Sequence, residues 1–405
     1  MSGLHGKRIL LGVTGSIAAY KAAEWVRSLV KEEAVVTVAM TEAAERFVSS
    51  LTFSALSGNP VHRDMFDEAP DRVMAHINLS READVILIAP ATAQTIARLA
   101  HGMADNLLAT AVLAARIPVI ICPAMNSAML THPATMANIS RLEQFGYYLV
   151  QPGCGDLACG ETGDGRLADW DVAREVLLAL FQPDDLKGRK ILITAGPTRE
   201  PLDPARFLSN RSSGKMGFAL ARTARRRGAE VTLVAGPVHL PDPPGVEMVR
   251  VATAAEMAEA VFARAQAMEI IVKSAAVADF KPMAYASHKI KKTQQGLQLD
   301  LVKNTDILSE LGKSRHPGQV LVGFAAESRD HAGEGQRKLR EKNLDLIVVN
   351  DILGARTGFD VETNQVTLID RQAATPLPLL SKEATADRIW DKVVQLLNER
   401  SEHAA

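Results

Sequence analysis

Short apolar runs alternate along the chain with stretches in which apolar residues recur every three or four positions. The runs at 7–13, 35–40, 84–89 and 118–122 are rich in Val, Ile and Leu and predict buried strands. Helical spacing between them predicts helices near 17–31, 94–101 and 106–115. The pattern then repeats, with strands expected near 190–194, 230–235, 270–274, 320–325 and 344–349. Helices are expected near 216–228, 254–267, 331–342 and 384–399. Alternating strands and helices predict parallel sheets covered on both faces, with ligands at the carboxyl ends of the strands.

Two segments share one grammar. Lys7-Arg8-Ile9-Leu10-Leu11-Gly12-Val13-Thr14-Gly15 and Lys187-Gly188-Arg189-Lys190-Ile191-Leu192-Ile193-Thr194-Ala195-Gly196 each run from basic residues through an apolar strand to a glycine turn. Between them the short polar stretch Gln182-Pro183-Asp184-Asp185 predicts a boundary near 183–187. The expected fold is α/β: two doubly wound, mostly parallel-sheet domains over residues 1–186 and 187–405.

Composition narrows the function. With 46 Lys plus Arg against 47 Asp plus Glu, the net charge is −1, without the basic excess that nucleic acid or an anionic membrane calls for. The longest apolar stretch, Leu107 to Met125, is interrupted by Arg116 and Pro118 and reads as a helix followed by a strand, not a membrane span. The first strand begins within a few residues of Met1, which leaves no room for a signal peptide, and three cysteines give no disulfide framework. A soluble, reduced, cytoplasmic protein is the expectation.

The loop Gly12-Val13-Thr14-Gly15-Ser16-Ile17 offers free N–H groups and hydroxyls to a phosphate, although G-x-G-x-x-G is not satisfied. By itself it is equally a plain strand-to-helix turn. Further small polar loops follow at Pro90 to Thr95, Gly102 to Leu108 and Pro123 to Met129. In that order GVTGSIAAYK, HINLS, PATAQT, GMADNLL and PAMNSAML resemble the flavin-containing cysteine decarboxylases, and within them the phosphopantothenoylcysteine decarboxylases. The resemblance implies a flavodoxin-like domain with FMN contacts at Gly15, Ser16, Thr41, Thr92, Met103 and Asp105. It also implies an active-site role for His76, a grip on the substrate carboxylate by Asn126, and an acid, Cys159, in the glycine-rich flap Gly155 to Arg166. Leu130 departs from the family's usual Trp, which predicts a less aromatic pocket wall. Cys122 reads as core, Cys154 has no assigned role, and the Cys154–Cys159 gap lacks the partners of a zinc site.

In the second half, Thr194 to Asp203 is followed by Arg206-Phe207-Leu208-Ser209-Asn210-Arg211-Ser212-Ser213-Gly214-Lys215-Met216-Gly217. The Ser-Ser-Gly-Lys stretch fails G-x-x-x-x-G-K-[ST], which disfavours a Walker-type ATPase. With Ala275 to Phe280, Lys289 to Lys292, Lys303 to Leu308, Val322 to Glu327 and the pair Lys338/Lys342, the order of motifs resembles the bacterial, CTP-using phosphopantothenate–cysteine ligases. That resemblance implies a Rossmann-like domain. Asp279, Lys289, Phe324, Lys338 and Lys342 would contact the nucleotide, with Ser274, Ala275, Thr305, Asp306, Ile307 and Leu308 lining its pocket. Asn210 would bind phosphopantothenate and its acyl-cytidylate, with Arg206 and Ala276 nearby, and Lys289 would assist attack by cysteine. Leu208 and Arg211 stand where the family usually has Ile and His. No acidic cluster marks a metal cage, so Mg²⁺ is expected on the CTP phosphates.

Together the resemblances imply a bifunctional enzyme of coenzyme A synthesis with small-molecule substrates. They also imply a homo-oligomer of trimeric decarboxylase cores and dimeric ligase domains, up to a dodecamer. Two other readings remain: a flavoprotein with an NAD(P)-binding second domain, against which the failed dinucleotide pattern argues, and a non-catalytic binding protein, against which retention of His76 and Cys159 argues.

Overall fold

The computed structural model describes residues 3–66, 74–158, 160–291, 298–327, 331–351 and 361–404. The chain divides into two compact units, Met1–Gln182 and Pro183–Ala405.

In the first unit, strands β1 (Arg8–Val13), β2 (Val35–Met40), β3 (Val61–His62), β4 (Val85–Ala91), β5 (Val119–Pro123) and β6 (Tyr148–Leu149) form one sheet in the order β3-β2-β1-β4-β5-β6. Every pairing in it is parallel. Apart from the two-residue edge strand β3, this is the flavodoxin-like order, with the switch point between β1 and β4. Helices α1 (Ala19–Lys31), α2 (Glu42–Glu45), α3 (Ser50–Ser57), α4 (Ala75–Glu82), α5 (Ala93–Ala100), α6 (Leu107–Ala114), α7 (Ser127–Leu130) and α8 (Pro133–Gln144) connect the strands. An antiparallel hairpin, β7 (Gly153–Asp156) and β8 (Thr162–Arg166), and helix α9 (Trp170–Leu180) complete the unit. All seven residues of β4 are buried, as a central strand covered on both faces requires. Leu130 is buried on the face that carries Leu107, Ile121 and Ile139, so the smaller side chain belongs to the core.

In the second unit, β9 (Lys190–Ala195) leads to a hairpin of β10 (Arg199–Asp203) and β11 (Arg206–Ser209). Next come α10 (Lys215–Arg226), β12 (Glu230–Ala235), β13 (Glu247–Arg250), α11 (Ala254–Ala265) and β14 (Ile270–Lys273). A second hairpin, β15 (Phe280–Pro282) and β16 (Leu301–Lys303), precedes α12 (Ile307–Ser314), β17 (Val320–Glu327), α13 (His331–Glu341) and β18 (Leu346–Asp351). The chain ends with β19 (Thr363–Asn364), β20 (Val366–Ile369), β21 (Ala374–Pro376), β22 (Leu380–Ser381) and α14 (Lys382–Ala404). The main sheet runs β13-β12-β9-β14-β17-β18-β20-β21, the Rossmann order extended by two antiparallel strands. Its switch point lies between β9 and β14. Among the described residues, no helix is long and apolar enough to cross a membrane.

Candidate functional site

Both units present polar loops at the carboxyl edge of the sheet beside the switch point, where an open α/β sheet leaves a crevice. In the first unit, Thr14 after β1 joins the two central loops: its buried hydroxyl donates to the Pro90 carbonyl (2.6 Å) and accepts from the Thr92 amide (3.1 Å). The Thr14 hydroxyl, read from sequence as offered to a phosphate, is instead engaged in a contact between loops 76 residues apart. Gly15 sits so close to α2 that a Cβ there would meet the Ala43 Cβ at 2.5 Å. Ser16 Oγ accepts from the Ala18 amide (3.3 Å), at the start of α1.

The other loops begin helices, and their polar residues are caps. Thr92 accepts from Thr95 N (3.3 Å), Asn106 from Ala109 N (2.9 Å) and Asn126 from Ala128 N (2.8 Å). Met103 is exposed, and Asp105 pairs with Arg98 at 3.0 Å. Thr41 precedes α2, and its buried Oγ1 has no hydrogen-bond partner among the described residues; the same is true of the buried His76 Nδ1 in the first turn of α4. Buried polar atoms are almost always paired, so these two, at the carboxyl edge, fit a bound polar molecule. The residues that the resemblance assigns to FMN therefore fit the group on one orphaned atom, Thr41 Oγ1, and one close backbone approach at Gly15, while the second orphan belongs to His76, the expected active-site residue.

The hairpin β7–β8 packs on the turn that carries Asn126. Ser127 Oγ donates to the Asp164 carbonyl (2.6 Å), and Met125 N donates to the Gly165 carbonyl (2.9 Å). At Gly165 (φ 128°) a Cβ would lie 2.1 Å from the Met125 oxygen, so the flap's glycine content reflects close backbone contact. Asn126 Nδ2 donates to Glu161 Oε2 at 2.8 Å. Cys159 lies outside the described residues.

The second unit holds a cavity of about 430 Å³ at the carboxyl edge. Asn210, Ser274, Ala275, Ala276, Asp279, Leu308, Phe324, Lys338 and Lys342 all line it. The loops hold one another: Asn210 Nδ2 donates to the Ala276 carbonyl (3.0 Å), and Ser274 Oγ to the Thr194 carbonyl (2.6 Å). The remaining expected residues do not line the cavity. Ile307 is core, Thr305 is exposed, and Asp306 caps α12 while pairing with Lys342 at 2.7 Å. Burial pushes the Asp306 carboxyl up, but Lys342 and the Ser309 amide hold it below the usual range. Arg206 is committed to the buried Asp203 (2.5 Å) and the Ile290 carbonyl (2.7 Å). The Arg206 hydrogen bond keeps the Asp203 carboxyl well below the usual carboxylate range. Lys289 is exposed, next to Ile290, whose amide Asp203 accepts at 3.1 Å.

Sequence reasoning missed several lining residues, Lys273, Asn350, Asn364 and Lys382, whereas the Ser212 to Gly217 loop that opens α10, read from sequence as an anion site at a helix start, does line the cavity. Lys382 is buried and donates to Asn364 Oδ1 at 3.0 Å. The Asn350 Oδ1 is buried without a partner. Among the described residues, no group of three His, Cys, Asp or Glu could hold a metal ion.

The chain matches two family models: Flavoprotein over residues 2–181 and DNA/pantothenate metabolism flavoprotein C-terminal domain over 186–397. It is 46% identical to the coenzyme A biosynthesis bifunctional protein CoaBC of Vibrio cholerae over 391 residues, which is 96% of this chain and 98% of that protein. Its identity to the protein of the same name from Bacillus subtilis is 45% over 406 residues, 99% of this chain and 100% of that one. A crystal structure of the C-terminal domain of a CoaBC protein is similar over 53% of this chain and 99% of that one, at 40% identity and a TM-score of 0.46. The chain belongs to the family of bifunctional coenzyme A biosynthesis proteins, enzymes that carry a decarboxylase and a ligase on one polypeptide.

Proposed function

We propose that residues 187–405 join cysteine to phosphopantothenate at the expense of CTP and that residues 1–186 decarboxylate the product with FMN. The observation that carries this reading is the second unit's cavity, which gathers Asn210, Asp279, Phe324, Lys338 and Lys342 from elements far apart in sequence. A free carboxylate is a poor acyl donor. Its oxygen attacks the α-phosphorus of CTP, pyrophosphate leaves, and the cysteine amine then attacks the acyl carbon and expels CMP. Lys338 and Lys342 neutralise phosphate charge that would repel the incoming carboxylate. Asn210, Ser274, Ala275 and Ala276 line the acyl side, and Lys289, exposed and outside the cavity lining, would assist attack by cysteine. Mg²⁺ would ride on the nucleotide phosphates, where it shares the task of charge neutralisation.

In the first unit, Gly15, Ser16, Thr41, Thr92, Met103 and Asp105 would hold FMN. When bound, it would supply the reversible two-electron chemistry that gives the departing carboxylate an electron sink. His76 moves a proton at the thiol through its unpartnered Nδ1, and Cys159 is the acid that reprotonates the product carbon. Asn126 orients the substrate carboxylate with the amide that now faces Glu161. Glu161 thus competes with substrate for one donor. Glu161→Gln is expected to lower KM for phosphopantothenoylcysteine about two- to fivefold with kcat little changed, since a neutral acceptor competes less strongly than a carboxylate. Steady-state decarboxylation assays check it; an unchanged or raised KM counts against the competition.

The same reading makes the protein a homo-oligomer of trimeric flavin units and dimeric ligase units, up to a dodecamer. Ile17, Tyr20, Phe47 and Leu51, exposed near the FMN loops, suit such contacts. It also makes the protein cytoplasmic, in keeping with the unpaired thiols of Cys122 and Cys154. The test is mass spectrometry of purified protein with phosphopantothenate, cysteine, Mg²⁺ and either CTP or ATP. Phosphopantetheine and CMP from CTP alone are expected. Equal turnover with ATP would overturn the nucleotide assignment, and no product with either nucleotide would overturn the reading.

A further inference from the structure

The cavity of the second unit contains two lysines that neither the resemblance nor any motif singles out, Lys382, which is bound to Asn364, and Lys273. Along β14, Ile270 and Val272 enter the core facing α10 and α14, while Ile271 enters the core on the opposite face, with Leu308 and Leu344. By the same alternation Lys273, the last residue of β14, belongs to the face of Ile271. Its neighbours across the sheet are Thr194 and Gly323, and at Gly323 a Cβ would meet Leu344 and Leu308 at 2.8 and 2.9 Å, so apolar packing closes that side and leaves the lysine the cavity side. Nζ donates to the Ala275 carbonyl at 3.0 Å, and the residue lines the cavity together with Lys338 and Lys342.

The lysines of this cavity differ in their partners. Lys342 is paired with Asp306 (2.7 Å) and Lys215 with Glu362 (2.5 Å), whereas Lys273 makes no ion pair among the described residues. A partly buried ammonium beside a second lysine, acted on by Asp306 and Asp279 but in no ion pair with either, gains from an arriving anion. We propose that Lys273 is a phosphate-binding residue of this cavity, its ammonium taking an oxygen of the nucleotide triphosphate; the inference rests on the nucleotide reading above.

The electrostatics agree. Burial first, and Lys342 second, lower the Lys273 pKa to about 8, against the opposing pull of Asp306 and Asp279. Lys338, Lys215 and Lys382 face the same space. In the free protein the ammonium loses its proton as pH rises through about 8. A bound phosphate would raise that value, so affinity is complete below it and falls above it. Between pH 7 and pH 9 the fall is about tenfold.

The experiment is calorimetric titration of Mg·CTP into the full-length protein at pH 7 and pH 9, for wild type, Lys273→Arg and Lys273→Met. Wild type is expected to bind about tenfold more weakly at pH 9. Lys273→Arg should retain the pH 7 affinity and lose the pH dependence, and Lys273→Met should bind at least tenfold more weakly at pH 7. A Met variant that binds like wild type, or an Arg variant with the wild-type pH dependence, overturns the inference while leaving the nucleotide reading intact. Failure of wild type to bind CTP overturns both. The Arg variant keeps the test decisive if the Met variant does not fold.

Discussion

His76→Asn is expected to stop decarboxylation while the ligase continues, so that phosphopantothenoylcysteine accumulates from phosphopantothenate, cysteine and CTP. The imidazole stands in the first turn of α4 with Nδ1 buried and without a partner among the described residues, which leaves it free to exchange a proton with a bound molecule. Asn keeps a polar atom near the Nδ1 position but does not titrate at neutral pH, so the change separates hydrogen bonding from proton transfer. Loss of a positioned general acid or base costs about 10²- to 10⁴-fold in rate. The visible flavin spectrum of the purified variant serves as the control, because a variant that retains its flavin has lost chemistry and not the cofactor. An unchanged kcat for decarboxylation would remove His76 from the mechanism.

What the sequence discloses and what it hides follow different physics. Buried central strands such as β4 are apolar along their whole length, so the central strands of both sheets and the small polar loops around Thr92, Asn106 and Asn126 could be read locally. Short elements escaped, among them the two-residue β3, the single-turn α2 and α7, and the antiparallel β20 and β21, whose pairing is settled by neighbours distant in the chain. So did the longer helices α4, α8, α9 and α12, which the sequence reading left unassigned. The glycine-rich flap read as a flexible cover is a hairpin pressed onto the Asn126 turn. Lys273 was passed over because a lysine at the end of Ile-Ile-Val-Lys looks like an ordinary solvated strand end. It lies instead in a cavity with Leu308 of α12 and Lys338 of α13, partly withdrawn from solvent. Asp203 was missed for a similar reason: its role is to organise Arg206 and Ile290, 87 residues further on, and no spacing rule reaches that far. The second cavity was therefore legible in its motifs and hidden in its charge balance.

That charge balance extends to the back of the second unit, where Arg227→Met should cost more stability than a surface substitution can. Arg227 follows the last turn of α10 with its side chain only 2% exposed. Its Nε and Nη2 bind both oxygens of Asp185 (2.8 and 2.6 Å), and Nη1 reaches Asp391 Oδ1 (2.9 Å) and the Asp387 carbonyl (3.2 Å). Burial alone would lower the guanidinium pKa, yet Asp185 and Asp391 raise it, so the ion is bound in its charged form. Met fills much of the volume but leaves the carboxylates without their counter-charge. Removing one member of a buried ion cluster costs about 3–5 kcal/mol; because Asp391 is half exposed and can rehydrate, about 2–4 kcal/mol is expected here. The deficit should depend on pH through Asp387, whose carboxyl burial raises to about 6 against Arg226 and Arg227. A raised pKa in the folded state contributes stability at low pH that is lost as pH climbs through that value. With Arg227 gone the Asp387 pKa rises further, so the variant should recover part of its loss at pH 5 relative to pH 7. Urea unfolding followed by Trp390 fluorescence, with Trp25 and Trp170 replaced by Phe, measures both quantities in the full chain. Replacing Asp185 and Asp391 by Leu in the same background should restore much of the loss, since the penalty comes from uncompensated charge and not from missing volume. A deficit under about 1 kcal/mol at pH 7, or one that grows on acidification, would mean that this cluster does not hold α10 and α14 together.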